Sequence, residues 1–254
     1  MSDTSRPRQD PLNTVQAETL QVAQFLHSLG ATDGEYVYHV VQTLLERPQK
    51  PYRSGVALLV ARALRDSVPP EVVRFAAAVQ VVAVAGLTHR QTVADSTLVP
   101  AEQPAIDAHL VVLAGDYLYA QAAYITAGLQ NLKVMAILAE EIKLQCQGEV
   151  ARHNGHTAAG ASAGLYSLSA VGTGYLLDCD PAQIAELQQY GNVLDTVDAA
   201  ALSGVLHQVS TATLLQGIPP GEARSTLIDL VEAIARSTPV DGATSAEDGE
   251  RLGG

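Results

Sequence analysis

The sequence predicts an all-α, single-domain protein, and three observations lead there. Hydrophobic residues make up 47% of the chain and aromatics only 4%. The apolar content is therefore carried by Ala, Val and Leu, which suit closely packed helices better than a β-sandwich. Apolar positions recur at helical spacing in segment after segment, with Pro, Gly or Asn standing at the segment ends. No convincing strand, internal repeat or interdomain linker interrupts the pattern. At 254 residues the chain is long enough to bury one substantial core without disulfides.

The elements follow in order. Residues 1–11 are polar and Pro-containing and read as a disordered arm; residues 12–237 form the helical domain; residues 238–254, with Pro239, Gly242 and a Gly-Gly end, read as a disordered acidic tail. Leu12 to Gly30 carries one apolar stripe, with Gly30 as its stop. Asp33 is expected to cap the next helix, which ends before Pro48. A buried helix spans Gly55 to Arg65, and Pro69-Pro70-Glu71 opens a long one through Ala76. After the Pro-containing loop from Ser96 to Ile106 come helices Leu110 to Leu129 and, capped by Asn131, Leu132 to Val150. The small, Gly-rich run His153 to Leu177 predicts a helix pressed tightly against its neighbours, since Gly costs about 1 kcal/mol in an exposed helix interior. Asp180-Pro181 and Pro219-Pro220-Gly221-Glu222 open the last two. The total is about nine or ten helices.

A formal charge of −12 argues against nucleic acid or an anionic membrane as the main partner. Cys146 and Cys179 show no paired-ligand spacing and read as two reduced, buried thiols. The first residues lack a signal-peptide apolar run, and no uninterrupted apolar run of transmembrane length stands out. A soluble, cytoplasmic protein is the expectation.

The chain is organised around Ala76 to Gln147, two apolar helical segments joined by a polar loop. Leu87-Thr88-His89 closes the first, and Leu113-Ala114-Gly115-Asp116-Tyr117-Leu118 lies in the second. This frame resembles the all-helical trans-prenyl diphosphate synthases, which implies an isoprenoid-synthase-like helical bundle. Within them it resembles the small subunit, component 1, of heterodimeric heptaprenyl or hexaprenyl diphosphate synthases. The metal chemistry of the family is missing from the matching positions. Where the family has Asp-Asp-x-x-Asp, this chain has Arg90-Gln91-Thr92-Val93-Ala94, with Asp95 the one acid between Leu87 and Pro100. Mg²⁺ bridging to a diphosphate needs several oxygen ligands, which one carboxylate cannot supply. Tyr190-Gly191-Asn192-Val193-Leu194 resembles the opening of the family's second motif, but Leu202, Ser203 and Leu206 stand in the region of its aspartates. Asp195 and Asp198 share a helix face three residues apart and read as a solvated face rather than a metal site.

The resemblance implies roles for further residues. The family's basic diphosphate-binding loop is represented by Gln49 to Ser54, so Lys50 and Arg53, with His89 and Arg90, are candidates for a residual diphosphate site; the bland alternative is that they are ordinary loop charges. Val84, Ala85 and Gly86, just before the first motif, are small, as an open product tunnel or plain helix packing would both require. The two helices after the first motif build the family's dimer, which makes Leu113, Asp116, Tyr117, Ala122, Ala123 and Tyr124 candidates for a subunit interface and product-tunnel wall.

Taken together, the resemblance implies a non-catalytic subunit that binds no metal itself. It would pair with a large subunit holding Mg²⁺ and support the making of a long all-trans prenyl diphosphate for menaquinone. Two other readings stay open: a homodimeric pseudoenzyme that binds an isoprenoid or diphosphate without turnover, and a divergent prenyl transferase or terpene synthase. For the last, Glu140-Glu141 is the nearest extra acidic pair, and adjacent helical residues diverge too far to converge on one metal.

Overall fold

The computed structural model describes residues 10–46, 52–94, 108–154, 164–203 and 214–237. Among them are a 3₁₀ turn at Pro11–Val15 and nine α-helices: α1 Gln16–Ser28, α2 Glu35–Leu45, α3 Tyr52–Arg65, α4 Pro70–Ala94, α5 Ala108–Ala127, α6 Leu132–His153, α7 Leu165–Leu176, α8 Pro181–Ser203 and α9 Glu222–Ser237. No strand occurs among the described residues.

α4 is the hub, packing on α1, α2, α3, α5, α6 and α7, with its longest seam against α5. The sequence explains why. From Val72 to Ala85 almost every side chain is small or branched and apolar, so no polar stripe exists to face water. Val72, Phe75, Val79, Val81, Val82 and Ala85 are fully buried. An all-round apolar helix is a core helix, and burial of each larger side chain here stabilises the fold by about 1.5–3 kcal/mol. Over Pro70–Arg90 the helix is long and apolar enough to cross a membrane, but 83% of its most apolar window lies inside the bundle. Its hydropathy is that of a core element; that the run reaches transmembrane length is what the sequence reading missed.

Local signals set most ends. Asn131 Oδ1 accepts from the Lys133 and Val134 amides, so it caps α6 as expected. Asp180 Oδ1 accepts from the Gln183 amide at the start of α8. Three expectations need correction. Asp33 does not cap α2; Gly34 holds that position without a side-chain bond, and Asp33 instead accepts from the Tyr117 hydroxyl of α5. The first stripe is not one helix from Leu12: Asp10 accepts from the Leu12 amide and starts a 3₁₀ turn at Pro11, before α1 begins at Gln16. Cys146 is exposed rather than buried, while Cys179 is half-buried.

The tight packing expected of the Gly-rich run is present in α7. Where α8 crosses it, Gly191 faces the Ser167 backbone, and a Cβ there would lie 2.4 Å from Ser167 Cα. Only glycine permits that approach.

Candidate functional site

The candidate residues fall into two clusters joined through the core. The first lies at the C-terminal end of α4. His89 packs over Gly115 of α5, where a Cβ would stand 2.7 Å from its Nε2. The glycine of Leu-Ala-Gly-Asp-Tyr-Leu is thus the space the imidazole occupies. His89 Nε2 is 3.3 Å from Asp116 Oδ1, and its ring stacks on Tyr119 with centroids 5.5 Å apart. The next residue, Arg90, lies 3.7 Å from Glu149 of α6. Gln91 and Ala94 belong to the last turns of α4, with side chains outside the described residues.

The second cluster surrounds the N-terminus of α7. Asp195 Oδ1 accepts from the Tyr166 amide, and Oδ2 accepts from the Ser167 amide and hydroxyl. A carboxylate from α8 thereby satisfies amides that the first turn of α7 leaves open. Burial raises the Asp195 carboxyl to about 6, against the pull of these bonds and of Arg53. Arg53 of α3 binds Asp198 at 3.2 Å, and Asp198 is 5% exposed. The expected solvated face of Asp195 and Asp198 is therefore wrong. Both point inward because α8 turns this side to α7 and α3, and their partners are an arginine and a helix terminus. Glu141 of α6 completes the cluster, accepting from the Gly164 amide at 3.1 Å. Burial raises its carboxyl above the ordinary value.

Tyr119 and Gln145 join the two clusters. The Tyr119 hydroxyl donates to Gln145 Oε1 at 2.9 Å, and Gln145 Nε2 donates to Glu141 Oε1 at 3.1 Å. Gly86 makes room for this bridge: a Cβ there would lie 2.3 Å from Gln145 Oε1. Its smallness serves a polar contact, while Val84 and Ala85 are buried in the core. Sequence reasoning missed Gln145 and Glu141 as members of one network. Their i,i+4 spacing was the available signal.

The three described basic residues of the candidate diphosphate set each face a carboxylate: Arg53 with Asp198, His89 with Asp116, Arg90 with Glu149. Lys50 lies outside the described residues, as does Leu206; Leu202 and Ser203 sit in the last turn of α8 with side chains outside them. Among the described residues no group of three or more His, Cys, Asp or Glu is placed to hold a metal ion. The donor set among the described residues does not fit Mg²⁺, which takes several oxygen ligands at octahedral positions. Glu140 points to Lys143, away from buried Glu141, so that pair does not converge.

The interface candidates divide. Leu113 and Tyr124 are 63% and 79% exposed, and Asp116 and Ala123 are also exposed on α5. Ala122 is fully buried and belongs to the core seam with Leu118 and Ile125. Tyr117 is half-buried and tied to Asp33, with its phenol raised to about 12 by burial and by that carboxylate. Among the described residues eight large apolar side chains are exposed. Six of these are on two helices: Val112, Leu113 and Tyr124 on α5, with Leu132, Leu144 and Val150 on α6. Exposed large apolar side chains are thus concentrated on α5 and α6 among the described residues.

This all-helical bundle is the isoprenyl diphosphate synthase fold. Decaprenyl diphosphate synthase from Rhodobacter capsulatus matches with a TM-score of 0.71 at 17% identity, over 89% of this chain and 97% of that one. Heptaprenyl diphosphate synthase from Staphylococcus aureus matches with a TM-score of 0.69 at 14% identity, over 91% and 99%. The geranyl diphosphate synthase small subunit from Antirrhinum majus matches with a TM-score of 0.63 at 16% identity, over 87% and 97%. In sequence, a prenyl transferase from Synechocystis sp. is 34% identical over 112 residues, 42% of this chain and 35% of the relative. A prenyl transferase from Porphyra purpurea is 26% identical over 141 residues, 54% of this chain and 44% of the relative. The chain thus spans less than half the length of these curated relatives. No family model matches.

Proposed function

We propose that the chain is a non-catalytic subunit of a heterodimeric long-chain trans-polyprenyl diphosphate synthase. It supports a catalytic large subunit and the length of the prenyl chain that subunit makes. The observation that carries this reading is the Arg90–Glu149 pair at the end of α4. A cation and its counter-charge stand where, by the resemblance, carboxylates would gather Mg²⁺ to neutralise a departing diphosphate. On this reading Mg²⁺ is held by the large subunit, and the outward faces of α5 and α6 pack against it. Likeness to the Antirrhinum majus small subunit supports the same assignment. A cytoplasmic location and a menaquinone side chain as end use belong to this proposal too.

The chain's own residues would act by packing and positioning. Leu113, Tyr124 and Leu132 would anchor the partner by apolar burial, with Ala123 beside Tyr124 at the seam. The test is turnover of labelled isopentenyl diphosphate with an allylic diphosphate and Mg²⁺, by the purified chain alone and mixed with a candidate large subunit. Product only in the mixture is expected. Product from the chain alone would overturn the proposal in favour of a divergent prenyl transferase, the reading that the names of the curated relatives favour.

A further inference from the structure

The Tyr119–Gln145–Glu141 bridge contains an element with two arrangements. Ionised Glu141 can only accept, so it orients the Gln145 amide with Nε2 toward itself and Oε1 toward the Tyr119 hydroxyl. A protonated Glu141 carries an O–H on the same oxygen, which requires an acceptor. The nearest is Gln145 Oε1 after the amide turns over. Nε2 then donates to the Tyr119 oxygen, and the Tyr119 proton swings away. One proton is taken from solvent, and Glu141 Oε2 continues to accept from the Gly164 amide.

We propose that Gln145 is a proton-driven switch: its side-chain amide faces one way when Glu141 is ionised and the reverse way when Glu141 is protonated. Gln145 is 4% exposed and Glu141 6%, so solvent does not supply substitute partners. Gly86 has no Cβ; one there would stand 2.3 Å from Gln145 Oε1. The amide end therefore sits where a side chain would otherwise be, and a half-turn exchanges its O and NH₂ within that same outline. The charged groups acting on Glu141 are Arg53 from α3 and Asp195 from α8, with Gly164 N–H preceding α7. The charged and titratable groups acting on Tyr119 are Arg90 from α4 and Cys146, Glu149 and Glu141 from α6, with His89 of α4 stacked on the ring. Burial of Glu141 moves its ionisation toward neutral pH. The turn therefore carries the charge state of a core carboxylate to the ring beneath His89, next to Asp116 on the outward face of α5.

The test uses the ¹³C,¹⁵N-labelled full chain from pH 4.5 to 8.5, with the Tyr119 ring followed by its aromatic ¹³C–H signals. The Gln145 side-chain NH₂ and the Gly164 amide are expected to shift together, with one midpoint above the ordinary glutamate range. Glu141→Gln, whose amide can donate as the protonated acid does, should hold Gln145 at its low-pH position throughout. In Gln145→Met, Gly164 should still titrate while the Tyr119 ring no longer follows it. A Gln145 amide that stays fixed while Gly164 titrates would overturn the switch. A Tyr119 response that persists in Gln145→Met would do the same, and that arm decides the matter if Glu141→Gln does not fold.

Discussion

Asp195 spends its charge on the first turn of α7, and the cost is readable in its ionisation. Its folded value of about 6 lies above the ordinary carboxylate range, so the folded chain holds the proton more tightly than the unfolded one. Stability from this carboxyl is therefore fully present below about pH 4 and is lost as pH rises through about 6. Asp195→Ala is expected to cost about 1–2 kcal/mol through the lost cap. Its cost should be larger at pH 4.5 than at pH 8, as measured by urea unfolding at both values. Gly86→Ala would usually stabilise a helix; here it should destabilise by about 1–3 kcal/mol because the methyl displaces Gln145. Thermal melts of the variant check it. The sequence placed Asp195 and Asp198 on one face but not on an inward one. Three-residue spacing reports that two side chains are neighbours, whereas which way they look depends on the helices that arrive later.

At the scale of elements, α5 and α6 differ from the other helices by what they leave uncovered. A lysine at Tyr124 or Leu113 should leave the melting temperature of the isolated chain nearly unchanged, since exposed positions rarely matter to folding. On the proposed function, the same substitution is expected to weaken association with a candidate large subunit tenfold or more, about 1.4 kcal/mol; analytical ultracentrifugation of the mixture measures it. Element ends were legible wherever their signal is local, as with Asn131, Asp180-Pro181 and Pro70. Asp33 misled because its oxygen had a second customer, the Tyr117 hydroxyl, that lies far off in sequence. The apolar span of α4 was readable as a run, and its place at the hub was readable only once five other helices and α5 closed around it.

For the molecule as a whole, the carboxylates around the candidate site face internal partners: Asp198 binds Arg53, Glu149 pairs with Arg90, and Glu141 and Asp195 accept at the entry to α7. Millimolar Mg²⁺ is therefore expected to leave the melting temperature of the isolated chain where EDTA leaves it. A rise of several degrees would reveal a cation site by linkage. The overall architecture was legible because composition, helix period and the Leu113–Leu118 motif all agree on it. The candidate site was legible only as a list of residues. The pairing of each basic residue with its own carboxylate is a matter of three-dimensional closure between helices far apart in the chain.

The exposure of Leu113 and Tyr124 on α5 and of Leu132 and Val150 on α6 has, on the proposed function, a consequence for the life of the protein. An orphan copy presents chaperones and proteases with the oily patch that they patrol for. On the proposed function, its abundance should accordingly track that of the large subunit that covers these side chains. Depleting that companion is expected to shorten the half-life in a pulse-chase experiment, and Tyr124→Lys should lengthen it again.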